Sequence, residues 1–316
     1  MMALDRSGPL AIPLLKYPRV SLRVPDTSLI ICSRNRPAML HASIASILEG
    51  RKAPSEIVVI DQSGTPDSEL SRFAAEAQGY FQYVWSDSRG LSRGNNLGIS
   101  LAQYQWLIFT HDDVFVEKGW FENLTGALMS SGEKTVVTGR VLPTAPEVAG
   151  GFATTLRTDE EAAVYEGRAP LNVLKPFNMA MHRTALESAG QFDEQLGPGT
   201  PFPGAEDSDL GFRLLEAGYR IAYVPEAILY HRAWRPARGY LRVRWGYGVA
   251  QGAFYAKHTS RQDRYMLRHF FVDARRRARR FARRVISEPV RALEEPLFIV
   301  GNLVGAVRWT AMHRRR

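Results

Sequence analysis

The sequence predicts an α/β protein with a mostly parallel sheet flanked by helices and a basic helical appendage at the C-terminal end. Apolar runs alternate with helical patterns from residue 28 onward, the order of elements that builds a parallel sheet. The runs are apolar throughout, as expected of strands covered on both faces. Polar residues follow directly after three of them, where open α/β sheets bind their ligands.

The elements are predicted in order along the chain. Strands are predicted at residues 28–33, 56–61, 81–86 and 105–110. The helices between them are predicted from the spacing of Leu40, Ile44, Ile47 and Leu48, and at about 67–78 and 92–102. Segments rich in Pro and Gly at about 143–176 and 197–204 are predicted to be irregular, and long loops of this kind often act as lids. A helix from about Asp207 to Gly218 and short strands at 221–225 and 227–231 follow.

The composition excludes several classes of protein. The chain has 316 residues, 45% of them hydrophobic, which is enough to bury a large core and excludes a disordered protein. A single cysteine, Cys32, excludes an internal disulfide framework and fits a reducing compartment. No run of about 20 apolar residues predicts a transmembrane helix, and the N-terminus lacks a signal-peptide pattern. Residues 1–26 are predicted to be a lead-in rich in proline.

The net charge of +9 is unevenly distributed along the chain. Residues 231–316 contain 21 Lys and Arg against 5 Asp and Glu, whereas the rest of the chain is acidic. Such asymmetry indicates a polyanionic partner, either nucleic acid or an anionic membrane surface.

Two clusters of carboxylates are candidates for chemistry: Asp112 with Asp113, and Glu206 with Asp207 and Asp209. Oxygen ligands suit Mg²⁺ or Mn²⁺, and a neighbouring His111 nitrogen suits Mn²⁺ especially. Taken alone, the first cluster could equally be a solvated turn after a strand. The second could equally serve to cap a helix, because carboxylates are favoured near a helix N-terminus.

Seven segments in order resemble the motifs of the family 2 glycosyltransferases, which have the GT-A type, Rossmann-like fold and use nucleotide-sugar donors. These segments are LIICSRNRP, IVVIDQS, GLSRGNNLGI, FTHDDV, FNMAMHRTALESAGQFDE, GAEDSDLGFRLLEAGYRI and YHR. Each motif alone is a weak match, but seven in the correct order are specific. The resemblance covers about residues 27–232.

The resemblance implies roles on the donor side. It places Ser33 and Arg36 near the nucleotide, Asp61 on the base, and the loop of Gly94, Asn95 and Asn96 near the donor, although that loop could simply begin a helix. It places Asp112 near the ribose or the sugar, and Asp113 on a divalent metal, Mn²⁺ or Mg²⁺, that bridges the donor diphosphate. His231 is similar to a family histidine that can complete the metal site, although such a residue can also be an ordinary boundary histidine.

The resemblance also implies which residue is the catalytic base, and the sequence differs from the family pattern at one position, His111. Asp207 matches the family's general base, and Glu206 and Asp209 are implied to bind the acceptor or to support the base. His111 stands where the family usually has the first acid of its D-x-D motif. A histidine can ligate Mn²⁺ or hydrogen-bond the ribose, but it cannot supply the missing negative charge.

The basic C-terminal region predicts an amphipathic helix at about 261–286. Its apolar residues Leu267, Phe270, Phe271, Ala274, Ala278, Phe281 and Val285 recur at steps of three and four, and arginines are assigned to the other face. Basic helices with aromatic anchors are typical of membrane interfaces. The apolar segment that follows is too short to span a bilayer, and its Gly301 and Gly305 have G-x-x-x-G spacing. The alternative is that both segments pack on the catalytic body or on a partner subunit.

Together these observations predict three regions: a lead-in (1–26), a GT-A catalytic domain (27–235) and a basic helical region (236–316). The function expected is metal-dependent, inverting transfer of a hexose or deoxyhexose from a UDP-, dTDP- or GDP-sugar. The expected acceptor is a glycan or lipid-linked glycan, and the expected location is cytoplasmic and peripheral on the inner face of the cell membrane. Nucleic acid is not an expected partner, because no nucleic-acid-binding motif accompanies the arginines.

Two alternatives remain open at this stage. The first is a nucleotide-sugar-binding, membrane-associated protein without turnover, which the His111 substitution keeps open. The second is a sugar-phosphate nucleotidyltransferase, which is disfavoured because CSRNRP contains no glycine for the phosphate loop such enzymes carry after the first strand.

Overall fold

The computed structural model describes residues 22–77, 79–168, 172–260 and 262–313. The strands are β1 (Arg23–Ser33), β2 (Ala53–Asp61), β3 (Phe81–Trp85), β4 (Trp106–His111), β5 (Val114–Val116), β6 (Thr135–Pro143), β7 (Phe152–Ala153), β8 (Ala163–Tyr165), β9 (Met179–His182), β10 (Arg220–His231) and β11 (Trp234–Arg235). The helices are α1 (Pro37–Leu48), α2 (Ser68–Glu76), α3 (Leu91–Leu101), α4 (Trp120–Ser131), α5 (Thr184–Ala189), α6 (Glu206–Glu216), α7 (Ala237–His258), α8 (Tyr265–Arg284) and α9 (Pro289–His313). Most of the predicted lead-in, residues 1–21, lies outside the described residues, and β1 begins within its last part.

The central sheet has the strand order β3-β2-β1-β4-β9-β6-β10-β5, and β8 pairs with β10. Strands β3, β2, β1 and β4 are parallel neighbours, and β6 and β10 are parallel to each other. Strand β9 is antiparallel to both β4 and β6, while β5 and β8 are antiparallel to β10. The predicted mostly parallel sheet flanked by helices is therefore confirmed, with antiparallel strands in its second half.

Strand β1 shows why the sheet is buried on both faces. Leu29 and Ile31 belong to a core shared with helices α1 and α4, whereas Ile30 and Cys32 belong to a core shared with α3 and α6. Alternate residues of a strand point to opposite faces, so both faces of β1 need apolar side chains. This is the physical reason for the uninterrupted apolar runs in the sequence.

The two short strands predicted before His231 form a single strand, β10. Its pairing with β6 shifts register between Val224 and Ile228, around Pro225. Proline cannot donate to a ladder of hydrogen bonds and is tolerated at an irregularity of this kind. The segment predicted to be irregular at 143–176 also contains two short strands, β7 and β8.

Helices α7 and α9 cross with their backbones in contact. A Cβ atom added to Gly252 would lie 2.0 Å from the Asn302 oxygen, and one added to Gly305 would lie 1.9 Å from the Val249 oxygen. The G-x-x-x-G spacing of Gly301 and Gly305 is thus used to pack α9 against α7. Trp309 extends this contact to Phe202 of the catalytic body.

Helix α8 packs with a different face from the one predicted. Arg277 and Arg280 bind Glu295 of α9, which is 1% exposed, at 3.1 and 2.6 Å. The Arg277 guanidinium also lies 3.5 Å from the centre of the Phe298 ring. Of the arginines assigned to the face opposite the apolar residues, Arg277 and Arg280 thus contact α9, because a buried carboxylate needs cationic partners. Leu267 and Phe271, predicted to face a membrane or a protein surface, are exposed.

Substitution of Gly305 by Ala is expected to lower the free energy of unfolding by about 3 kcal/mol, because the added methyl group forces α7 and α9 apart. Chemical denaturation measures the difference. Gly126→Ala in α4 is the matched control, because nothing lies within 4 Å of its Cβ position. That change should leave stability unaltered or raise it slightly. Equal effects of the two substitutions would show that α7 and α9 do not pack in this way.

Candidate active site

The carboxyl ends of β1, β4 and β10 and the N-terminus of α6 open into one cavity of about 890 Å³. Strands β1 and β4 are parallel neighbours, so their polar ends meet at the same edge of the sheet. The predicted site residues that line the cavity are Ser33, Arg36, His111, Asp113, Glu206, Asp207 and His231. Residues nearly 200 positions apart in the sequence thus share one site.

Arg36 joins the two aspartates that follow β4. Its guanidinium nitrogens lie 2.7 Å from Asp112 Oδ1 and 2.7 Å from Asp113 Oδ2. Ser33 Oγ donates to the other oxygen of Asp112 at 2.7 Å. Asp112 is fully buried and does not line the cavity, whereas Asp113 does. Asp112 therefore positions Arg36 and Ser33, and Asp113 is the carboxylate that a ligand meets.

His111 and His231 both pack against the buried Phe177. The ring centroids of His111 and Phe177 are 4.9 Å apart, and those of Phe177 and His231 are 4.6 Å apart. Nε2 of His231 lies 3.5 Å from Asp113 Oδ1. Burial lowers the pKa of His111 to about 4, so this imidazole is neutral at pH 7 and adds no charge to the site.

The pKa values of the two neighbouring aspartates, Asp112 and Asp113, shift in opposite directions. Burial, together with the charge of Asp113, raises the pKa of Asp112 to about 6. Burial also acts to raise the pKa of Asp113, but the hydrogen bond from His231 and the charge of Arg36 outweigh it and hold the pKa well below its usual range. Asp113 is therefore the permanently ionised carboxylate of the pair.

The residues at this end of the cavity could hold a divalent cation only if substrate oxygens supplied further ligands. Within the described ranges, no three His, Cys, Asp or Glu side chains are arranged to hold a metal ion. Asp113 Oδ1 and His111 Nε2 are buried atoms that have no hydrogen-bond partner among the described residues. Asp113 and His231 supply one oxygen and one nitrogen, a set that suits Mn²⁺ when phosphate oxygens and water complete the coordination.

The candidate base lies in the first turn of α6, across the cavity. The helix begins after Ala205, whose φ of 65° is in the left-handed region that a non-glycine residue rarely adopts. Asp207 Oδ1 accepts a hydrogen bond from the Ser208 backbone N–H at 2.7 Å. Burial raises the pKa of Asp207, and the positive charge of Lys175 opposes this rise. Burial and the Asp207 charge raise the pKa of Glu206 to about 8, so Glu206 carries a proton at pH 7.

Asp61 and the Asn95 loop are held by protein contacts and do not line the cavity. Asp61 accepts from the Ser63 backbone N–H at 2.9 Å and from Tyr83 Oη at 2.7 Å. Its neighbour Gln62 lines the cavity instead. A Cβ on Gly94 would lie 2.9 Å from Cys32 Sγ, which explains the glycine as a close contact between α3 and β1.

Asn95, Asn96 and Asp209 likewise form internal contacts. Asn95 accepts a hydrogen bond from Cys32 Sγ at 3.1 Å, and Asn96 bonds the Phe192 backbone in both directions at 3.0 and 3.1 Å. Asp209, in the first turn of α6, is fully buried and bound by Arg213, Lys257 and His258. None of the three lines the cavity, so contact with a donor or acceptor does not follow from their positions.

The sequence did not identify Lys175 or the residues of α7 as parts of the cavity lining. Lys175 lies in the segment predicted to be irregular, and its only sequence signal is its position before the FNMAMH motif. Tyr247 and Gln251 line the cavity from α7, a helix that the sequence predicts only as part of a basic region. Its cavity-facing residues could not be recognised without knowing how α7 packs.

Comparison with known proteins identifies a family of transferases. Residues 28–189 match the family model described as glycosyl transferase family 2. The pre-mycofactocin glycosyltransferase of Mycobacterium tuberculosis (strain CDC 1551 / Oshkosh) is 24% identical over 252 residues, which cover 75% of this chain and 49% of that protein. The chain thus spans about half the length of this curated relative.

Solved structures share the fold at low sequence identity. A mannosyltransferase from Pyrobaculum calidifontis in complex with GDP-Man and Mn²⁺ is similar with a TM-score of 0.59 and 15% identity, over 93% of this chain and 91% of that one. GalNAc-T7 with UDP, GalNAc and Mn²⁺ is similar with a TM-score of 0.52 and 17% identity, over 78% of this chain and 54% of that one. At these identities the likeness shows the fold alone.

Proposed function

The chain belongs to glycosyl transferase family 2, and we propose that it transfers a hexose or deoxyhexose from a nucleoside diphosphate sugar to an acceptor hydroxyl with inversion. The observation that carries the proposal is the shared cavity. Asp207 enters it from α6, and Asp113 and Arg36 enter it from the strand ends. Direct sugar transfer requires a base for the acceptor hydroxyl and a group that stabilises the leaving diphosphate, and this cavity contains candidates for both.

The transfer itself is a single displacement. Asp207 accepts the proton of the acceptor hydroxyl as the hydroxyl oxygen attacks the anomeric carbon of the donor. The bond from that carbon to the diphosphate oxygen breaks as the new glycosidic bond forms, and the nucleoside diphosphate leaves with the electron pair. Attack and departure occur on opposite faces of the sugar, so the anomeric configuration inverts.

The leaving diphosphate is stabilised at the other end of the cavity. Arg36 presents a guanidinium group there, although Asp112 and Asp113 bind it when no donor is present. A divalent cation, when bound, neutralises diphosphate charge and favours its departure. Asp113 and His231 are the residues that would hold it. Mn²⁺ in the two neighbouring structures supports this assignment.

Calorimetric titration of UDP, GDP and dTDP, with and without Mn²⁺, tests the donor site. We expect one of these nucleotides to bind, and to bind more tightly when Mn²⁺ is present. GDP-Man and UDP in the neighbouring structures make GDP and UDP the first choices. If none of the three binds under either condition, the donor site is wrongly assigned.

A nucleotide-sugar-binding protein without turnover remains the second candidate. It is favoured by His111, which is neutral where the family usually supplies an acid, and by the double ion pair that Arg36 makes with Asp112 and Asp113. Such a protein would bind the nucleotide in the titration but would not transfer or hydrolyse any donor sugar. A panel of nucleotide sugars separates the two functions.

We also propose that the outer faces of α8 and α9 bind an anionic membrane surface, which would bring a glycan or lipid-linked acceptor to the enzyme at the cytoplasmic face. Phe271 of α8 is 61% exposed and Val307 of α9 is 68% exposed, and Ile286, in the segment that joins the two helices, is 93% exposed. Exposed arginines such as Arg275 and Arg279 lie on the same helix as Phe271. Among the described helices, none has the length and apolar character to cross a bilayer.

Vesicle flotation tests the membrane proposal. Phe271→Ser combined with Ile286→Ser should lower binding to vesicles that contain phosphatidylglycerol, because both side chains lose apolar area that enters the interface. Val164→Ser is the matched control, since Val164 is 61% exposed on β8. Binding that is unchanged in the double variant would assign α8 and α9 to packing alone.

A further inference from the structure

One wall of the cavity comes from the C-terminal helices. Its residues from these helices are Arg242, Arg244, Tyr247, Gln251, Arg277 and Phe298. They lie beyond residue 189, where the match to the family model ends. This wall is therefore a property of this chain that the family match does not describe.

The wall reaches the candidate base. Tyr247 Oη lies 3.1 Å from Thr155 Oγ1, and burial and the neighbouring Glu206 and Asp207 carboxylates raise the pKa of Tyr247. Gln251 Nε2 and Glu206 Oε2 both belong to residues that are 5% exposed, and neither has a hydrogen-bond partner in the described chain. Unpartnered polar atoms beside the base are expected to bind hydroxyl groups of an acceptor.

Two arginines that line the cavity form no ion pair with a carboxylate of the described residues. Arg244 lies 3.1 Å from Glu294, and Arg277 lies within 3.1 Å of Glu295, so both are neutralised within the protein. Arg235 and Arg242 also line the cavity, but neither forms an ion pair with a carboxylate in the part of the chain that the structure describes. Among the described residues, the one hydrogen bond of their side chains runs from Arg235 to the Trp234 carbonyl.

We propose that Arg235 and Arg242 bind a phosphate or diphosphate group carried by the acceptor, so that the acceptor is an anionic glycoside. The inference rests on the proposed function, since it takes Asp207 as the base that the acceptor hydroxyl meets. A guanidinium group presents paired N–H donors that match phosphate oxygens. The donor diphosphate is already served by Arg36, Asp113 and His231 at the strand ends.

The test uses the full chain with its donor end occupied. The protein is saturated with Mn²⁺ and whichever nucleoside diphosphate binds, and is then titrated with glucose 1-phosphate or with methyl glucoside. We expect the phosphate to bind and the neutral glucoside to bind at least about tenfold more weakly, because a charge-assisted pair is lost. Equal binding of the two probes would overturn the proposal.

Variants locate the phosphate. Arg235→Gln combined with Arg242→Gln should weaken binding of glucose 1-phosphate about tenfold or more, while the affinity for the nucleoside diphosphate stays unchanged and shows that the variant is folded. Arg238→Gln is the matched control, because Arg238 is an exposed residue of α7 that does not line the cavity. A double variant that binds the phosphate normally, or loses the nucleotide instead, would show that these arginines have another role.

The source of the phosphate is distinguished by a third probe. A short-chain lipid diphosphate sugar that competes with glucose 1-phosphate in the wild type, but not in the double variant, identifies a lipid-linked acceptor at the same subsite. Competition by inorganic phosphate alone identifies a free-phosphate site and overturns the acceptor assignment. If no nucleoside diphosphate binds in the first place, the proposed function itself fails, which is a separate result.

Discussion

Asp207→Asn is expected to lower the rate of sugar transfer by about 10³-fold or more, because an amide cannot accept the proton of the acceptor hydroxyl. Asparagine keeps the size of aspartate and can still accept the 2.7 Å hydrogen bond from the Ser208 N–H. Donor binding should therefore change little. Rates are measured with a transferred sugar, and binding with the nucleoside diphosphate.

Asp159→Asn is the control for this substitution, because the Asp159 side chain is 74% exposed. It should transfer sugar at the wild-type rate. Transfer that survives in Asp207→Asn would assign the base to another group. Loss of nucleotide binding in that variant would mean that Asp207 supports the donor site.

The pH dependence of transfer should identify the same group. Transfer requires the deprotonated carboxylate, so the rate should fall as the pH is lowered through the pKa of Asp207. Burial raises that pKa, which places the decline at a higher pH than for an ordinary aspartate. Lys175→Met removes a positive charge that opposes the rise, and should move the decline to still higher pH.

Asp113→Asn is expected to abolish the effect of Mn²⁺ on nucleotide binding and to lower transfer by at least about 100-fold. The substitution removes the ionised carboxylate that a diphosphate-bound cation would meet. It also frees one side of Arg36, which keeps its ion pair with Asp112. Nucleotide affinity should therefore become independent of Mn²⁺ but should not vanish.

His182→Asn is the control for a metal ligand. His182 is a buried histidine on β9 that bonds Thr184 and does not line the cavity. Its substitution should leave the Mn²⁺ dependence intact. An Asp113→Asn variant that responds to Mn²⁺ as the wild type does would remove Asp113 from the metal site.

The sequence predicted the sheet and the residues at its edge for one physical reason. Parallel strands place their carboxyl ends together, so polar residues after β1 and β4 converge without any knowledge of side-chain contacts. Ser33, Arg36 and Asp113 were reached in this way. Asp207 required the family resemblance, because α6 lies nearly a hundred residues further along the chain.

Other contacts of the site residues could not be predicted, because they depend on how separate elements pack against each other. Asp61, expected at the donor base, accepts hydrogen bonds from Tyr83 and Ser63. Asn96, expected near the donor, bonds Phe192, which is 96 residues away. The inward turn of Arg277 likewise follows from Glu295 on a different helix. Tyr83, Phe192 and Glu295 lie 22, 96 and 18 residues from the residues they bind, so periodicity and spacing could not identify these contacts.

The ion pairs of Asp209 determine how short a working fragment can be. Asp209 lies two residues after the candidate base, and Lys257 and His258 at the end of α7 bind it at 2.6 and 2.8 Å. A fragment that stops before these residues would leave a fully buried carboxylate with Arg213 alone and would disturb the first turn of α6. Any fragment expected to keep a formed site therefore extends at least through His258, well past the segment that the family model matches.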